Sequence, residues 1–203
     1  MSIDLPNEYL KLQVKKLSEK FSPDIIFIEI GTATGNSAKW ILNGINESEI
    51  KRWFFTVDPY GDKPYKTSAG ISNNMDYGEK SYRRAMLELN KYTYENELLY
   101  CHWRMLDSDF MKIFPEIEFW HKGGKIKNPQ FGFIFLDGEH IPDVILKEFE
   151  WFYERMPSGG MIAIDDINYL DMEEGTKSLL KGFKGKFEFQ TDGSNHRAYF
   201  TKL

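Results

Sequence analysis

Residues 25–37 read Ile-Ile-Phe-Ile-Glu-Ile-Gly-Thr-Ala-Thr-Gly-Asn-Ser: an apolar run, a turn bounded by two glycines, and the start of a helical pattern. The run is apolar apart from Glu29, which is typical of a central strand covered by helices on both faces. Gly31 and Gly35 allow a tight turn and a close approach of the backbone to a ligand. Ligands of open α/β sheets bind at the carboxyl ends of the strands, so the turn that follows this strand is the first candidate site. A glycine pair alone is also compatible with a plain tight turn.

The alternation of short apolar runs with longer helical patterns continues along the chain. Strands are predicted at 25–30, 53–57, 98–103, 131–136, 161–164, 186–190 and 197–201. Helices are predicted near the N-terminus and at 36–43, 77–94, 109–114, 141–155 and 173–183, with Gly44 ending the second of these and 123–129 forming a turn-rich connection. Five βα units and a terminal β-hairpin predict an α/β fold, a Rossmann-like three-layer sandwich around a mostly parallel seven-stranded sheet with a C-terminal antiparallel hairpin.

Composition narrows the classes of function. The chain has 203 residues with 26 basic and 31 acidic side chains, a formal charge of -5, so we expect one domain spanning 1–203 and no nucleic-acid partner. The lysines of the N-terminal helix (Lys11, Lys15, Lys16 and Lys20) are interpreted as a solvated face. Cys101 is the single cysteine, which excludes an intrachain disulfide and predicts a core thiol. With neither a signal peptide nor an apolar run long enough to span a bilayer, we expect a cytoplasmic protein without a membrane partner.

The segment from 62 to 74 is rich in Gly, Pro, Ser and Asn and carries no periodicity. Segments of this kind in compact domains are usually functional or disordered. With Tyr60, Tyr65 and Tyr77 around it, the stretch at about 60–78 is predicted to be a lid over the site.

A second acid supports a nucleoside site. Asp58 ends the second predicted strand, where nucleotide-binding sheets hold ribose hydroxyls with a carboxylate. The turn does not match G-x-G-x-x-G, since Thr34 is the third residue after Gly31, and this argues against a nicotinamide-dependent oxidoreductase. Glu29, two residues before Gly31, instead offers a negative group to a cationic ligand.

Acidic side chains also follow the two buried strands at 131–136 and 161–164. Asp137 comes after the first, and Asp165 and Asp166 come after the second. Neighbouring strands lie about 4.8 Å apart, so these carboxylates can converge and then repel unless a cation lies between them. Oxygen ligands favour Mg²⁺ or Mn²⁺. The alternative is that the acids cap helices or bind a cofactor amine without metal.

His140 lies three residues after Asp137. A neutral imidazole there can take a proton from a hydroxyl group, although a capping or exposed histidine is an equal alternative. His102, His121 and His196 are interpreted as structural or surface residues.

Residues 29–38 resemble motif I of class I S-adenosylmethionine-dependent methyltransferases, with Ala33 in place of the frequent middle glycine. The resemblance extends from about Phe27 to Asn168 and is strongest to catechol-type and metal-dependent sugar O-methyltransferases. The cofactor-binding residues predicted on this basis are Glu29, Gly31, Thr32, Gly35, Ser37, Asp58, Ser108, Asp109 and Asp137. Among them Gly31, Gly35 and Ser37 would hold the amino acid end and Asp58 the ribose. Ser108 and Asp109 would lie near the adenine, or else cap the helix that they open.

The same resemblance implies the chemistry. Asp137, Asp165 and Asp166 match the metal ligands of these enzymes, and Asp137 and His140 are the predicted catalytic residues, with His140 replacing the lysine of catechol-type enzymes. The expected activity is methyl transfer to a hydroxyl of a small molecule or sugar, assisted by Mg²⁺ or Mn²⁺, in a chain that can form a homodimer. Metal-independent O- or N-methyl transfer, NAD-dependent oxidoreduction and a non-catalytic binding module are the alternatives.

Overall fold

The computed structural model describes residues 5–61, 65–66, 72–73, 78–121, 124–126, 129–168, 172–193 and 196–203. The strands are β1 (Ile26–Ile30), β2 (Trp53–Val57), β3 (Tyr65–Lys66), β4 (Ser72–Asn73), β5 (Leu99–Trp103), β6 (Phe119–His121), β7 (Gly124–Ile126), β8 (Phe131–Leu136), β9 (Met161–Ile164), β10 (Phe187–Thr191) and β11 (Ala198–Lys202). The helices are α1 (Leu5–Lys20), α2 (Asn36–Asn46), α3 (Glu79–Glu95), α4 (Asp107–Ile113), α5 (Pro142–Glu154) and α6 (Met172–Gly182), with a 3-10 turn at Phe114–Glu116.

The main sheet has seven strands in the order β10-β11-β9-β8-β1-β2-β5. β11 runs antiparallel to both of its neighbours, β9 and β10, and the remaining pairs are parallel. The predicted α/β fold and its C-terminal antiparallel hairpin are therefore confirmed. This order places the carboxyl ends of β9, β8, β1 and β2 side by side, so the turns that follow them share one edge.

The core lies on both faces of the sheet because the central strands are apolar at successive positions. Ile28 and Ile134 point to a cluster shared with α4, α5 and α6, whereas Phe27 and Phe133 point to a cluster shared with α1, α2 and α3. Each of these four side chains is completely buried. Helices therefore cover the sheet on both faces, which makes the three layers of the sandwich.

One local prediction is wrong, and another is met only in part. Gly44 does not end α2, which continues to Asn46. A Cβ at Gly44 would lie 2.7 Å from the carbonyl oxygen of Lys11 and 2.9 Å from Cβ of Val14, so this glycine permits close packing of α1 against α2. Cys101 is only half-buried, although it packs against the core and burial raises its thiol pKa.

The segment at about 60–78, predicted as a lid, falls largely outside the described residues, and Tyr77 is among those left out. The part that is described contains the β3–β4 pair, in which Tyr65 is aligned with Asn73. The turn-rich connection predicted at 123–129 is partly taken up by a second antiparallel pair, β6 with β7. Within the described ranges, no helix is both long and apolar enough to cross a membrane.

Candidate functional site

The turn after β1 is fixed against the ends of two neighbouring strands. Gly31 donates its N–H to the carbonyl oxygen of Val57 (2.9 Å), and Asp137 donates its own to Ile30 (2.8 Å). Gly31 has a φ of 86°, and a Cβ there would lie 2.0 Å from the carbonyl oxygen of Asp137. Only glycine fits this position, both for its backbone conformation and for the space around it.

Asp58 joins the turn after β1 to the turn after β2. Its Oδ2 accepts hydrogen bonds from the N–H groups of Thr32 (2.9 Å) and Ala33 (2.8 Å), and its Oδ1 accepts one from Tyr60 (2.8 Å). The Tyr60 hydroxyl donates to the carbonyl oxygen of Ala33 (2.7 Å). Burial raises the pKa of Asp58, and the three backbone donors oppose this shift. The two turns therefore form one rigid unit, and further lone pairs on the carboxylate can serve a ligand.

The backbone of this unit is strained. Ala33 and Tyr60 have φ values of 44° and 43°, a left-handed conformation that non-glycine residues seldom adopt. Such strain persists where the surroundings hold it in place, and it concentrates at functional sites. Here the hydrogen bonds of Asp58 and Tyr60 stabilise the left-handed backbone conformations.

Glu29 lies beneath the turn and is completely buried. Its two carboxylate oxygens are buried, and the Ser37 hydroxyl is a hydrogen-bonding neighbour. Burial raises the pKa of Glu29 to about 8, the Ser37 hydroxyl opposes the shift, and the charge of Asp58 adds to it. A carboxyl group in this position carries a proton near neutral pH.

Three side chains converge at the ends of β8 and β9. Nε2 of His140 lies 3.1 Å from Oδ2 of Asp166 and 3.9 Å from Oδ1 of Asp137. One ligand atom from each of the three lies within 4.8 Å of the others, which makes them a candidate cation site within the described part of the chain. The sequence predicted Asp137, Asp166 and His140 at one edge, and the structure brings them together.

The pKa values of the two aspartates shift in opposite directions. The pKa of Asp137 is raised well above its ordinary value by burial, and then by the charges of Asp165, Glu29 and Asp166. The pKa of Asp166 is lowered, chiefly by its hydrogen bond with His140, although burial opposes that change. A positive ligand would relieve the repulsion that acts on Asp137.

Asp165, which the sequence grouped with the predicted metal ligands, is paired with Arg197. Its Oδ1 accepts a hydrogen bond from Nε of Arg197 at 2.8 Å, and its Oδ2 accepts one from Nη2 at 3.4 Å. Asp166 has a φ of 52°, and the two successive side chains face different partners. Asp165 thus forms an ion pair with Arg197, whereas Asp166 contacts His140.

The predicted adenine residues lie at the start of α4, which begins two residues earlier than expected. Ser108 and Asp109 are exposed in its first turn, and Asp109 pairs with Lys112 (3.0 Å). The residue before the helix is Leu106, so neither of the two caps it.

Glu148, on the buried face of α5, was not singled out from the sequence. It is 1% exposed, and its Oε1 would lie 3.9 Å from a Cβ at Gly138. Burial raises its pKa, and the neighbouring carboxylate of Asp107 raises it further. Glu148 therefore lies close to the turn after β8 and has the carboxylate of Asp107 as a neighbour. The sequence signal is an acid within the apolar pattern of α5, next to Phe149.

Two histidines complete the picture. His196 was interpreted from the sequence as a structural or surface residue. Its Nδ1 lies 3.8 Å from Oδ1 of Asp166, so it lies at the acidic edge, the group of aspartates (Asp137, Asp165 and Asp166) that follow β8 and β9. Its position follows from the pairing of β11 with β9, which a linear pattern does not reveal. His102 agrees with a structural role: its Nδ1 lies 2.9 Å from Oγ1 of Thr56, and burial lowers its pKa to about 4.

The chain was compared with known proteins. Residues 28–167 match the family described as "Methyltransferase domain", and the chain belongs to this family. A search of curated protein sequences finds no significant match.

Solved structures with the same fold include three O-methyltransferases. The enzyme from Bacillus cereus in complex with S-adenosylhomocysteine is 17% identical, with a TM-score of 0.60 over 97% of this chain and 80% of that one. TomG from Streptomyces achromogenes, involved in tomaymycin synthesis and solved with S-adenosylmethionine, is 14% identical, with a TM-score of 0.60 over 97% and 79%. NovP is 13% identical, with a TM-score of 0.63 over 98% and 80%. At sequence identities this low, the similarity to these structures establishes the fold alone.

Proposed function

We propose that the chain transfers the methyl group of S-adenosylmethionine to a hydroxyl oxygen of a small molecule, with help from a divalent cation. The observation that carries this proposal is the excess of carboxyl groups at one sheet edge. Glu29, Asp58, Asp137 and Asp166 belong to four neighbouring strands or the turns after them. Burial raises the pKa of both Glu29 and Asp137, and the charges of neighbouring acids raise them further. A sulfonium and a metal ion are both positive, so both suit this edge.

The cofactor fits the unit formed by the turns after β1 and β2. Gly31 and Gly35 both have left-handed backbones, which bring the main chain close to whatever lies above the turn. We assign the amino acid end of the cofactor to Gly31, Thr32, Gly35, Ser37 and Asp137, with Glu29 beneath them, and the ribose to Asp58. Ser108 and Asp109 remain assigned to the adenine end. The cofactors bound to the B. cereus enzyme and to TomG support this assignment.

The cation fits the group formed by Asp137, Asp166 and His140, which offers two carboxylates and one imidazole. Such a set suits Mg²⁺ or Mn²⁺, with coordination positions left for substrate and water. When bound, the cation would lower the pKa of the acceptor hydroxyl and orient it.

The chain's own residues then have separate tasks. His140 would serve as the base in the metal-independent alternative, where its imidazole is not a ligand and Asp166 lies 3.1 Å from its Nε2. The rigid turns hold the methyl donor, so that the acceptor oxygen can approach the methyl carbon in line with the sulfur.

The acceptor is assigned as a small hydroxylated compound, with a sugar as one candidate because of the sequence resemblance. We also propose that 1–203 form a single domain with a lid at about 60–78, and that the chain works as a homodimer in the cytoplasm. Metal-independent transfer is the second candidate, since Arg197 already supplies one positive charge at this edge.

Isothermal titration with S-adenosylhomocysteine tests the cofactor site. Wild-type protein should bind it, and Asp58→Ala should weaken binding strongly because both turns lose their common acceptor. Glu49→Ala, a change at an exposed acid, serves as the control. No binding to the wild-type chain would contradict the proposal.

Transfer of labelled methyl groups to a panel of small hydroxylated compounds tests the chemistry. Chelation by EDTA and the change Asp137→Ala should each abolish transfer. Full activity in EDTA would remove the metal from the mechanism and favour the second candidate.

A further inference from the structure

Arg197 lies at the acidic edge, where it contacts Asp165, the start of α1 and a side chain of β8. It directly precedes β11, and its side chain is 9% exposed. Nε and Nη2 donate to the two oxygens of Asp165, at 2.8 and 3.4 Å. A guanidinium is planar and always charged, so it matches a carboxylate with two parallel hydrogen bonds.

The other side of the same guanidinium reaches the start of α1. Nη1 donates to Oδ1 of Asn7 (2.8 Å) and to the carbonyl oxygen of Pro6 (3.2 Å). Its Cζ lies 5.2 Å from the ring centre of Phe135 on β8. These contacts leave Arg197 little freedom to move away from Asp165.

This arrangement bears on which acids can hold a cation. A divalent ion on the carboxylate of Asp165 would lie beside the guanidinium, and the two positive charges would repel each other. The charge of Arg197 also lowers the pKa of Asp166, but the direct ionic contacts described for Asp166 are with His140 and His196. Two adjacent acids therefore have different electrostatic surroundings.

We propose that Arg197 is the resident counter-ion of Asp165, and that it thereby restricts the cation site to Asp137, His140 and Asp166. The inference rests on the proposed function and deepens it. Arg197 is a positioning residue: it withholds one carboxylate from the metal and fixes the start of α1 next to the site.

The test is a titration of the whole chain with Mn²⁺, in which electron paramagnetic resonance measures the concentration of free ion and so gives the dissociation constant. Asp165→Asn should change the dissociation constant less than about threefold, whereas Asp166→Asn should weaken binding by at least about thirtyfold. The two variants are matched, because each replaces one of two adjacent aspartates by its amide.

Arg197→Met gives the sharper result. Removing the guanidinium frees the carboxylate of Asp165 for the ion, so Mn²⁺ should bind about tenfold more tightly, and adding Asp165→Asn should cancel that gain. A merely structural role for Arg197 would weaken binding instead. Circular dichroism checks that each variant is folded, and if Arg197→Met does not fold, the contrast between the two asparagine variants decides.

Equal losses in Asp165→Asn and Asp166→Asn would overturn the inference, as would unchanged or weaker Mn²⁺ binding in folded Arg197→Met. Failure of the wild-type chain to bind Mn²⁺ would also overturn it, because the three remaining groups would then not form a site. A parallel titration with S-adenosylhomocysteine separates that outcome from failure of the cofactor site.

Discussion

Replacement of Glu29 by glutamine tests the ionisation of the buried carboxyl group beneath the turn after β1. Glutamine has nearly the same shape but cannot ionise. In the folded chain the pKa of Glu29 is raised from 4.5 to about 8, so the folded state keeps a proton that the unfolded chain loses. Stability is therefore highest below pH 4.5 and falls as the pH rises to about 8.

The size of the effect follows from that shift. Retaining the proton costs the folded wild type about 3 kcal/mol at pH 7 and about 1 kcal/mol at pH 5. Glu29→Gln removes this cost, so its gain in stability over the wild type should be about 2 kcal/mol larger at pH 7 than at pH 5. Any change in packing or hydrogen bonding that does not depend on pH cancels in this difference.

Urea unfolding of both proteins at the two pH values measures the free energies. Glu49→Gln, at an exposed position, controls for the loss of one negative charge from the chain. The same difference in stability at pH 5 and pH 7 would refute the reasoning, because Glu29 would then ionise as readily in the folded chain as in the unfolded one.

Other positions give simpler expectations. Gly31→Ala should lower stability by about 3 kcal/mol or more, or prevent folding, because its Cβ would overlap the Asp137 carbonyl. The control Gly182→Ala has open space around it and should leave stability unchanged. Equal melting temperatures of the two variants would contradict the expectation. Gly44→Ala should cost about 1–3 kcal/mol by pushing α1 away from α2, measured as a lower melting temperature. Tyr60→Phe removes the hydrogen bond to Ala33 and should cost about 1 kcal/mol and weaken S-adenosylhomocysteine binding, whereas exposed Tyr94→Phe should leave both unchanged.

The sheet could be predicted from the sequence because its strands are continuous apolar runs between turn residues. Phe131–Leu136 and Met161–Ile164 have the predicted bounds. Helix ends were less predictable. Gly44 has the composition of a helix stop, but its small size serves packing against α1, a contact between distant parts of the chain.

The site was predictable where it depends on residues that follow directly on strands. Asp58, Asp137 and Asp166 lie at the edge where the sequence placed them. The partners of Asp165 and Asp166 from the C-terminal hairpin were not predictable, because Arg197 and His196 approach only through the register of β11 with β9. No local pattern encodes that register.

The link between the two turns also affects the thermodynamics of binding. Asp58 and Tyr60 hold the main chain at Thr32 and Ala33 through hydrogen bonds within the protein itself. The conformational entropy of this segment is thus lost during folding, and docking of a nucleoside does not have to remove it again. A preorganised receptor of this kind retains more of its contact energy as affinity.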